Sequence, residues 1–349
     1  MQKPIIIAHK QISYQGPVFV IAEAGVNHNG KLPLAFKLVD VAKEAGADAV
    51  KFQTFHAEGV VTKYVSMVGY QKKNVGKSQS QFALLKQIEL PFADFITIKK
   101  YCDKKGIIFL STPHSPEAVD FLDPLVPAHK TGSSDLNNLP FLAEVAKKKK
   151  PIILSTAMGT ITEIREAIKT IKKRGNNKII ILHCTNSYPC PPKDVNLRAM
   201  LTLKKEFNLP VGYSDHTLGI TIPIMATTLG AQVIEKHFTL SRKMSGPDHA
   251  ASLEPQELKQ MVLAIREAET ALGSEIKKPT KTEEGYKKED RKSIIAEVNI
   301  KKGAKISRDT LSIKRPGTGI EPKFLDKIIG KKAKINLKMD HPIKWDDVV

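Results

Sequence analysis

Two β-type runs of this chain end in a histidine: "GYSDHTLG" at residues 212–219 and "VIEKHFTL" at residues 233–240. If the runs are neighbouring strands, ~4.8 Å apart, His216 and His237 are close enough to share one ion. Two histidines leave most coordination positions to water and substrate, which is a catalytic arrangement and not a structural one. The plainer alternative is a pair of hydrogen-bonded histidines with no ion between them. Asp215 and Glu235 stand beside them as candidates to support the imidazoles. A second set reads as an anion site. Lys51, Lys130, Thr112, Ser133, Ser155 and Asn186 are cations and hydroxyl or amide donors, and together they suit a phosphate and a carboxylate. Both lysines lie in apolar runs, where lysine is rarely buried without a partner. Solvated rim lysines are one alternative, and a Schiff-base lysine is another. His28, in "GVNHNG", also follows an apolar run. His9, His56, His114, His129, His249 and His341 read as structural or surface residues.

A repeating unit must position these groups. Apolar runs of strand length alternate with segments of helical spacing eight times between residues 17 and 273. "PLAFKLVDVAKEAGA" (33–47) places Leu34, Leu38, Val41, Ala42 and Ala45 on one helical face, and "DAVKFQTF" (48–55) follows as a strand. Alternation implies a parallel sheet with right-handed crossovers. Eight units in this length imply a (β/α)8 barrel. An open doubly wound sheet is the alternative, weakened because no glycine fingerprint follows the first strand. In a barrel the chemistry sits at the C-terminal strand ends. Each strand here ends in polar residues, among them Glu23, Lys51 with Gln53, Thr112, Lys130 with Ser133, Ser155, Asn186 with Tyr188, His216 and His237. Residues 56–80 are polar and aperiodic, and read as a loop over that rim. After Gly273 the pattern stops. Residues 274–290 read as a linker, and residues 291–349, with short β-type runs broken by glycine, as a small second domain.

The bulk properties exclude several classes. The 349 residues are 41% hydrophobic and 26% charged, a globular balance. No apolar run reaches ~18 residues, so no membrane span is expected. The N-terminus lacks the pattern of a signal peptide. Cys102, Cys184 and Cys190 form no CxxC motif, which fits a reducing cytoplasm. The net charge is +19, but residues 273–349 carry 20 basic and 12 acidic residues, so the excess is shared by both parts. With aromatics at 6% and no basic–aromatic interleaving, an anionic substrate accounts for the charge better than a specific nucleic-acid site does.

The strand-end segments also carry a family resemblance. "AEAGVNHNG", "AVKFQTF", "STPHS", "HKTGSSDLNNLP", "ILSTAMG", "LHCTNSYPCP", "VGYSDHTLG", "IEKHFT", "GPDHAASLEP" and "KRPGTGI" resemble, in order, the motifs of bacterial N-acetylneuraminate (sialic acid) synthases. The family includes legionaminic acid synthases. The resemblance runs from about residue 16 to the C-terminus. It implies a TIM barrel over 1–273, followed after the linker by an antifreeze-like (SAF) domain over 291–349. It implies condensation of phosphoenolpyruvate with open-chain N-acetylmannosamine, with C–O cleavage, giving N-acetylneuraminate and phosphate. Legionaminic acid synthesis from 2,4-diacetamido-2,4,6-trideoxymannose is the alternative, and a non-catalytic sugar-binding relative is a more distant one. By similarity His216 and His237 hold a divalent metal, Mn²⁺ first and Mg²⁺ or Co²⁺ as alternatives. Lys51, Thr112, Lys130, Ser133, Ser155 and Asn186 bind phosphoenolpyruvate. Gln53, Tyr188 and Asp248 place the sugar, and Glu23 is the acid/base. Arg315 reaches the sugar's acyl group from the partner chain of a domain-swapped homodimer. The Schiff-base route is set aside. Ser134–Asp135 replace the family's usual Gly-Glu, and Ala157 stands where "STGM" has glycine. Both changes bear on the sugar and leave the phosphoenolpyruvate donors and the metal ligands in place.

Overall fold

The computed structural model describes residues 3–14, 16–75 and 79–349. A short antiparallel hairpin pairs β1 (Ile5–Ile7) with β2 (Lys10–Ile12). Eight parallel strands follow: β3 (Phe19–Gly25), β4 (Ala49–Thr54), β5 (Ile108–Pro113), β6 (His129–Thr131), β7 (Ile152–Ser155), β8 (Ile179–Cys184), β9 (Val211–Asp215) and β10 (Val233–His237). Their ladder order is β5-β4-β3-β10-β9-β8-β7-β6, and β5 returns beside β6, so the sheet curls into a near-closed barrel.

The inward positions explain how one chain makes both core and site. Along each strand they recur every second residue. Phe19, Ile21, Ala49, Ile108, Leu110, Ala128, Ile153, Ile180, Leu182 and Val233 form one buried cluster inside the barrel, joined by Ile5, Ile7 and Ile12 of the hairpin. Continuing two residues along each strand reaches Glu23, Lys51, Thr112, Lys130, Ser155, Cys184, Ser214 and Glu235. Thus the lower barrel is apolar and its C-terminal layer is polar. The outward positions pack under the helices in a second, larger cluster. Such two-sided burial is expected of a parallel sheet.

Each barrel strand is followed by a helix. α1 (Leu32–Glu44) follows β3. Between β4 and β5 lie α2 (Ala57–Val60), α3 (Gly69–Val75), α4 (Gln81–Ile88) and α5 (Phe92–Lys105). α6 (Pro116–Leu122), α7 (Leu139–Lys147), α8 (Ile161–Lys173), α9 (Ala199–Phe207), α10 (Thr221–Thr228) and α11 (Pro255–Leu272) complete the set. α8 shows why such segments are helical. Thr160 and Glu163 form a reciprocal capping box, and Ile164, Ala167, Ile168 and Ile171 bury one stripe.

Two expectations are corrected. Residues 56–80 are not a structureless loop. α2 and α3 lie within them, and Val26, Phe55, Met67, Leu84 and Ile88 form a small core of their own; residues 76–78 lie outside the described residues. Ahead of the repeating unit, the hairpin's Ile5, Ile7 and Ile12 fill the barrel floor. Within 274–290, read as a linker, α12 spans Lys281–Asp290. Its residues are polar all round, so periodicity gave no signal. A Thr280–Glu283 capping box starts it, and a Lys287–Glu284 ion pair supports it.

The chain divides into compact units, Met1–Gly273 and Ser274–Val349. In the second unit β11 (Ser293–Ala296) pairs antiparallel with β12 (Leu311–Lys314). Ile294, Ile300, Ile306, Ile320, Ile328, Leu337, Ile343 and Val348 build its core, with a one-turn helix α13 (Leu325–Ile328). Among the described residues no helix is long and apolar enough to cross a membrane.

Candidate active site

The polar layer at the barrel's C-terminal end is a buried charge network. Lys51 Nζ lies 2.6 Å from Glu23 Oε2 on the neighbouring strand and donates to Thr112 Oγ1 at 3.1 Å. Lys130 Nζ donates to Ser155 Oγ at 2.5 Å and to the Thr131 carbonyl at 3.0 Å. Between the lysines stands Glu235, whose Oε1 is 3.6 Å from Lys51 Nζ and 3.7 Å from Lys130 Nζ. Ser214 donates to that same oxygen at 3.1 Å. Glu23, Lys51, Lys130 and Glu235 are all under 5% exposed, which a cation tolerates only beside compensating charge.

The two carboxylates are driven apart. Burial raises Glu23 to about 7, against the pull of Lys51 and with the push of Glu235. Burial acts on Glu235 too, but Lys130 and Lys51 together outweigh it, and it stays below the usual range. Lys51 also loses to burial and gains more from Glu23 and Glu235, ending above its ordinary value. Burial lowers Lys130 in spite of Glu235. One carboxylate is therefore held ionised while its neighbour is poised to exchange a proton at neutral pH, the split by which paired carboxylates take different tasks.

The histidines lie above this layer. The ring centres of His216 and His237 are 5.5 Å apart, a spacing that admits an ion about 2 Å from a nitrogen of each ring. His216 Nδ1 is 2.6 Å from the Thr185 carbonyl. A carbonyl only accepts, so Nδ1 carries the proton and Nε2 keeps its lone pair. His237 Nδ1 is buried with no hydrogen-bond partner, 3.9 Å from Asp248 Oδ2. Burial lowers both imidazoles, that of His237 well below its ordinary value with a further push from His216. Both are neutral near pH 7, the form that binds a metal. Among the described residues no three His, Cys, Asp or Glu side chains form a metal cage, so the histidines are the available donor pair.

Tyr188 packs on both rings, 4.1 Å from the His216 centre and 5.6 Å from that of His237. Burial raises Asp248 to about 6. Gln53 donates to Glu23 Oε1 at 3.4 Å. Gly25 lies against all three groups. A Cβ there would come within 3.3 Å of Glu23 Oε1, 3.4 Å of His237 Cε1 and 3.5 Å of Gln53 Nε2, and its φ of +52° suits glycine. Ser133 sits on a short turn beyond β6, accepting from the Ala157 N–H at 3.1 Å and 3.3 Å from Cys184 Sγ. Asn186 is at the exposed rim, 3.4 Å from Met158 Sδ.

Thirteen site residues were named from the sequence, and twelve lie in the barrel unit. Arg315 is in the second unit, exposed, 2.9 Å from Asp290. Two supporting roles are corrected. Asp215 does not touch either imidazole, because its side chain points away from the barrel interior to Lys236, Tyr213 and Thr217. Glu235 supports the two lysines, not a histidine. Its inward position, two residues before His237, was the signal. His114, read as structural, is lowered to about 4 by burial and by Lys51 and Lys130, so it adjoins the charge network. His28 is buried, accepting at Nδ1 from the Gly30 N–H at 3.1 Å.

The NeuB family profile matches residues 38–277, and a SAF domain profile matches residues 291–349. The chain belongs to the NeuB family. It is 47% identical over 335 residues to the N,N′-diacetyllegionaminic acid synthase of Legionella pneumophila, covering 95% of this chain and 94% of the relative. It is 36% identical to human N-acetylneuraminate-9-phosphate synthase, with 94% and 92% covered. Among solved structures it is similar to the N-acetylneuraminic acid synthetase of Leptospira borgpetersenii, crystallised with citrate. There the TM-score is 0.72 and the identity 34%, with 81% of this chain and 94% of that one covered. As a NeuB-family chain it is an enzyme of the nonulosonic acid synthase class.

Proposed function

We propose that this NeuB-family enzyme condenses phosphoenolpyruvate with the open-chain aldehyde of 2,4-diacetamido-2,4,6-trideoxymannose, giving N,N′-diacetyllegionaminic acid and phosphate. The observation that carries the reaction type is the buried layer in which Lys51 and Lys130 face Glu23 and Glu235 directly beneath two neutral histidines. Lys51, Lys130 and the hydroxyls of Thr112, Ser133 and Ser155, with Asn186, offer an enolpyruvyl phosphate its counter-charges and donors. C3 of the enolpyruvate attacks the aldehyde carbon, whose oxygen takes a proton from solvent, and C2 becomes electrophilic. Water adds to C2 as Glu23 accepts one of its protons; the C2–O bond to phosphate then breaks, and the remaining hydroxyl proton leaves with the phosphate as the ketone forms. A dianion beside Lys51 competes with Glu23 for that cation, which raises the proton affinity of Glu23 when it is needed. A divalent ion on His216 and His237, Mn²⁺ first and Mg²⁺ or Co²⁺ as alternatives, supplies Lewis-acid polarisation of the aldehyde oxygen. Gln53, Tyr188 and Asp248 orient the sugar, and Arg315 reaches its acyl group from the partner chain of a domain-swapped homodimer.

From motifs alone, N-acetylmannosamine stood first as the sugar. The identities of 47% and 46% to two synthases named for N,N′-diacetyllegionaminic acid, against 36% to the human N-acetylneuraminate-9-phosphate synthase, support the opposite order. N-acetylneuraminate synthesis is the second reading. Phosphate release from phosphoenolpyruvate with Mn²⁺, run with each sugar, tests both. Turnover preferring the diacetamido sugar is the expected result. Preference for N-acetylmannosamine would install the second reading, and no release with either from metal-loaded protein would remove both.

A further inference from the structure

The polar network on the outer side of β9 and β10 serves neither the substrate layer nor the apolar core. Lys236 and Asp215 are both 0% exposed, and Lys236 Nζ lies 2.5 Å from Asp215 Oδ2. The same ammonium donates to the Thr217 carbonyl at 2.5 Å. Asp215 also accepts from the Thr217 N–H at 3.1 Å, the Thr217 hydroxyl at 2.9 Å and the Tyr213 hydroxyl at 3.0 Å. A buried ion pair is weak evidence of stabilisation, since an apolar pair of similar volume is often as stable. Its placement is more informative. Asp215 and Thr217 flank His216, and Lys236 directly precedes His237. On adjacent, in-register strands, one ammonium thus grips both sides of the first histidine and is covalently next to the second.

We infer that the Asp215–Lys236–Thr217 network is a positioning clamp that holds His216 and His237 at the separation and orientation needed to bind one divalent ion. The inference rests on the metal role proposed for those histidines. Each histidine has restraints of its own: His216 through its Nδ1–H to the Thr185 carbonyl and its carbonyl accepting from the Cys190 N–H at 2.8 Å, and His237 through its carbonyl accepting from the Leu253 N–H at 2.9 Å. Within the network described, it is the Lys236 ammonium that ties the 215–217 turn to the residue preceding His237. Loosening that tie leaves the rings on their strands and widens the distribution of their distances, which weakens binding to both at once.

The test is Mn²⁺ affinity, read by electron paramagnetic resonance of the free ion, in wild type and in Asp215→Asn/Lys236→Met. Asn keeps an acceptor for Thr217 and Tyr213, and Met fills the path of the lysine stem. Removing a group bonded directly to a metal ligand typically costs about 10–100-fold in metal affinity; this network acts through the backbone on either side of the rings, and a loss at the lower end, about 10-fold, is expected. The metal-free melting temperature and the affinity for phosphoenolpyruvate, held by a separate set of side chains, are expected to stay near wild type. Lys236→Gln, which retains a donor, serves as a milder second variant with an intermediate loss, should the double variant not fold. Unchanged Mn²⁺ affinity would overturn the clamp. So would a parallel fall in all three measurements, which a merely structural pair would give. If His216→Ala and His237→Ala leave wild-type Mn²⁺ affinity intact, the metal reading itself fails, a result distinct from failure of the clamp.

Discussion

At the scale of single residues, Glu23 is the group whose environment and proposed task agree most closely. Burial places it at about 7, and Lys51 at 2.6 Å does not pull it back to the ordinary value of 4.5. A base that must be ionised loses rate as pH falls through that value, so kcat/KM should rise with pH to a plateau above about 7. Glu23→Gln should abolish this dependence and lower kcat/KM by about 10²–10⁴-fold, the usual contribution of a general base. Stability gives an independent readout with a defined sign. Because the native value lies above the unfolded one, the linked stability is full below pH 4.5 and is lost as pH rises through about 7. The melting temperature of Glu23→Gln relative to wild type should therefore be higher at pH 8 than at pH 5. No such pH trend would remove the burial argument. The sequence placed Glu23, Lys51 and Lys130 at strand ends through their position in apolar runs. It did not show which way Asp215 and Lys236 face, because at these strand ends the inward Ser214 and Glu235 and the outward Asp215 and Lys236 are all polar, so no apolar–polar alternation marks the two sides.

The strand is the element whose pattern carried most of the fold. Eight apolar runs of strand length, alternating with segments of helical spacing, were enough to name a barrel. Its finer consequence is that inward positions change from apolar to polar within one step of two residues. The three-residue strands β1 and β2 were missed because they are too short for a period to stand out, and α12 because its surface is polar all round; tertiary burial of isoleucines decides the first and a capping box the second. Gly212 tests the layer argument directly. It is an inward position of β9 below Ser214, and a Cβ there would meet Leu182 Cδ2 at 2.7 Å and Val233 Cβ at 2.8 Å, with the Val233 carbonyl closer still. Gly212→Ala should destabilise the barrel by about 1–3 kcal/mol, the cost of forcing atoms into a filled core. Chemical denaturation would measure it. A neutral effect would mean that the layer beneath the site is loosely packed.

For the whole molecule, the question is whether one chain holds a complete site. The barrel unit holds both lysines, both carboxylates and both histidines, whereas Arg315 belongs to the other compact unit. If Arg315 serves a partner's barrel, each site is built from two chains, and defects on different chains can complement. Arg315→Ala should raise the KM for the sugar and leave that for phosphoenolpyruvate unchanged. Lys130→Met should inactivate by removing an anion-binding cation from the layer it shares with Glu235. Each homodimer would then have two defective sites. A hybrid of the two variants would have one site with both defects and one with none, since the intact Lys130 of one chain meets the intact Arg315 of the other. Random reassociation of equal amounts makes about half the dimers hybrid, so recovery should approach about a quarter of wild-type activity. A site built within one chain yields no recovery, because every barrel then keeps its own defect however the chains are paired.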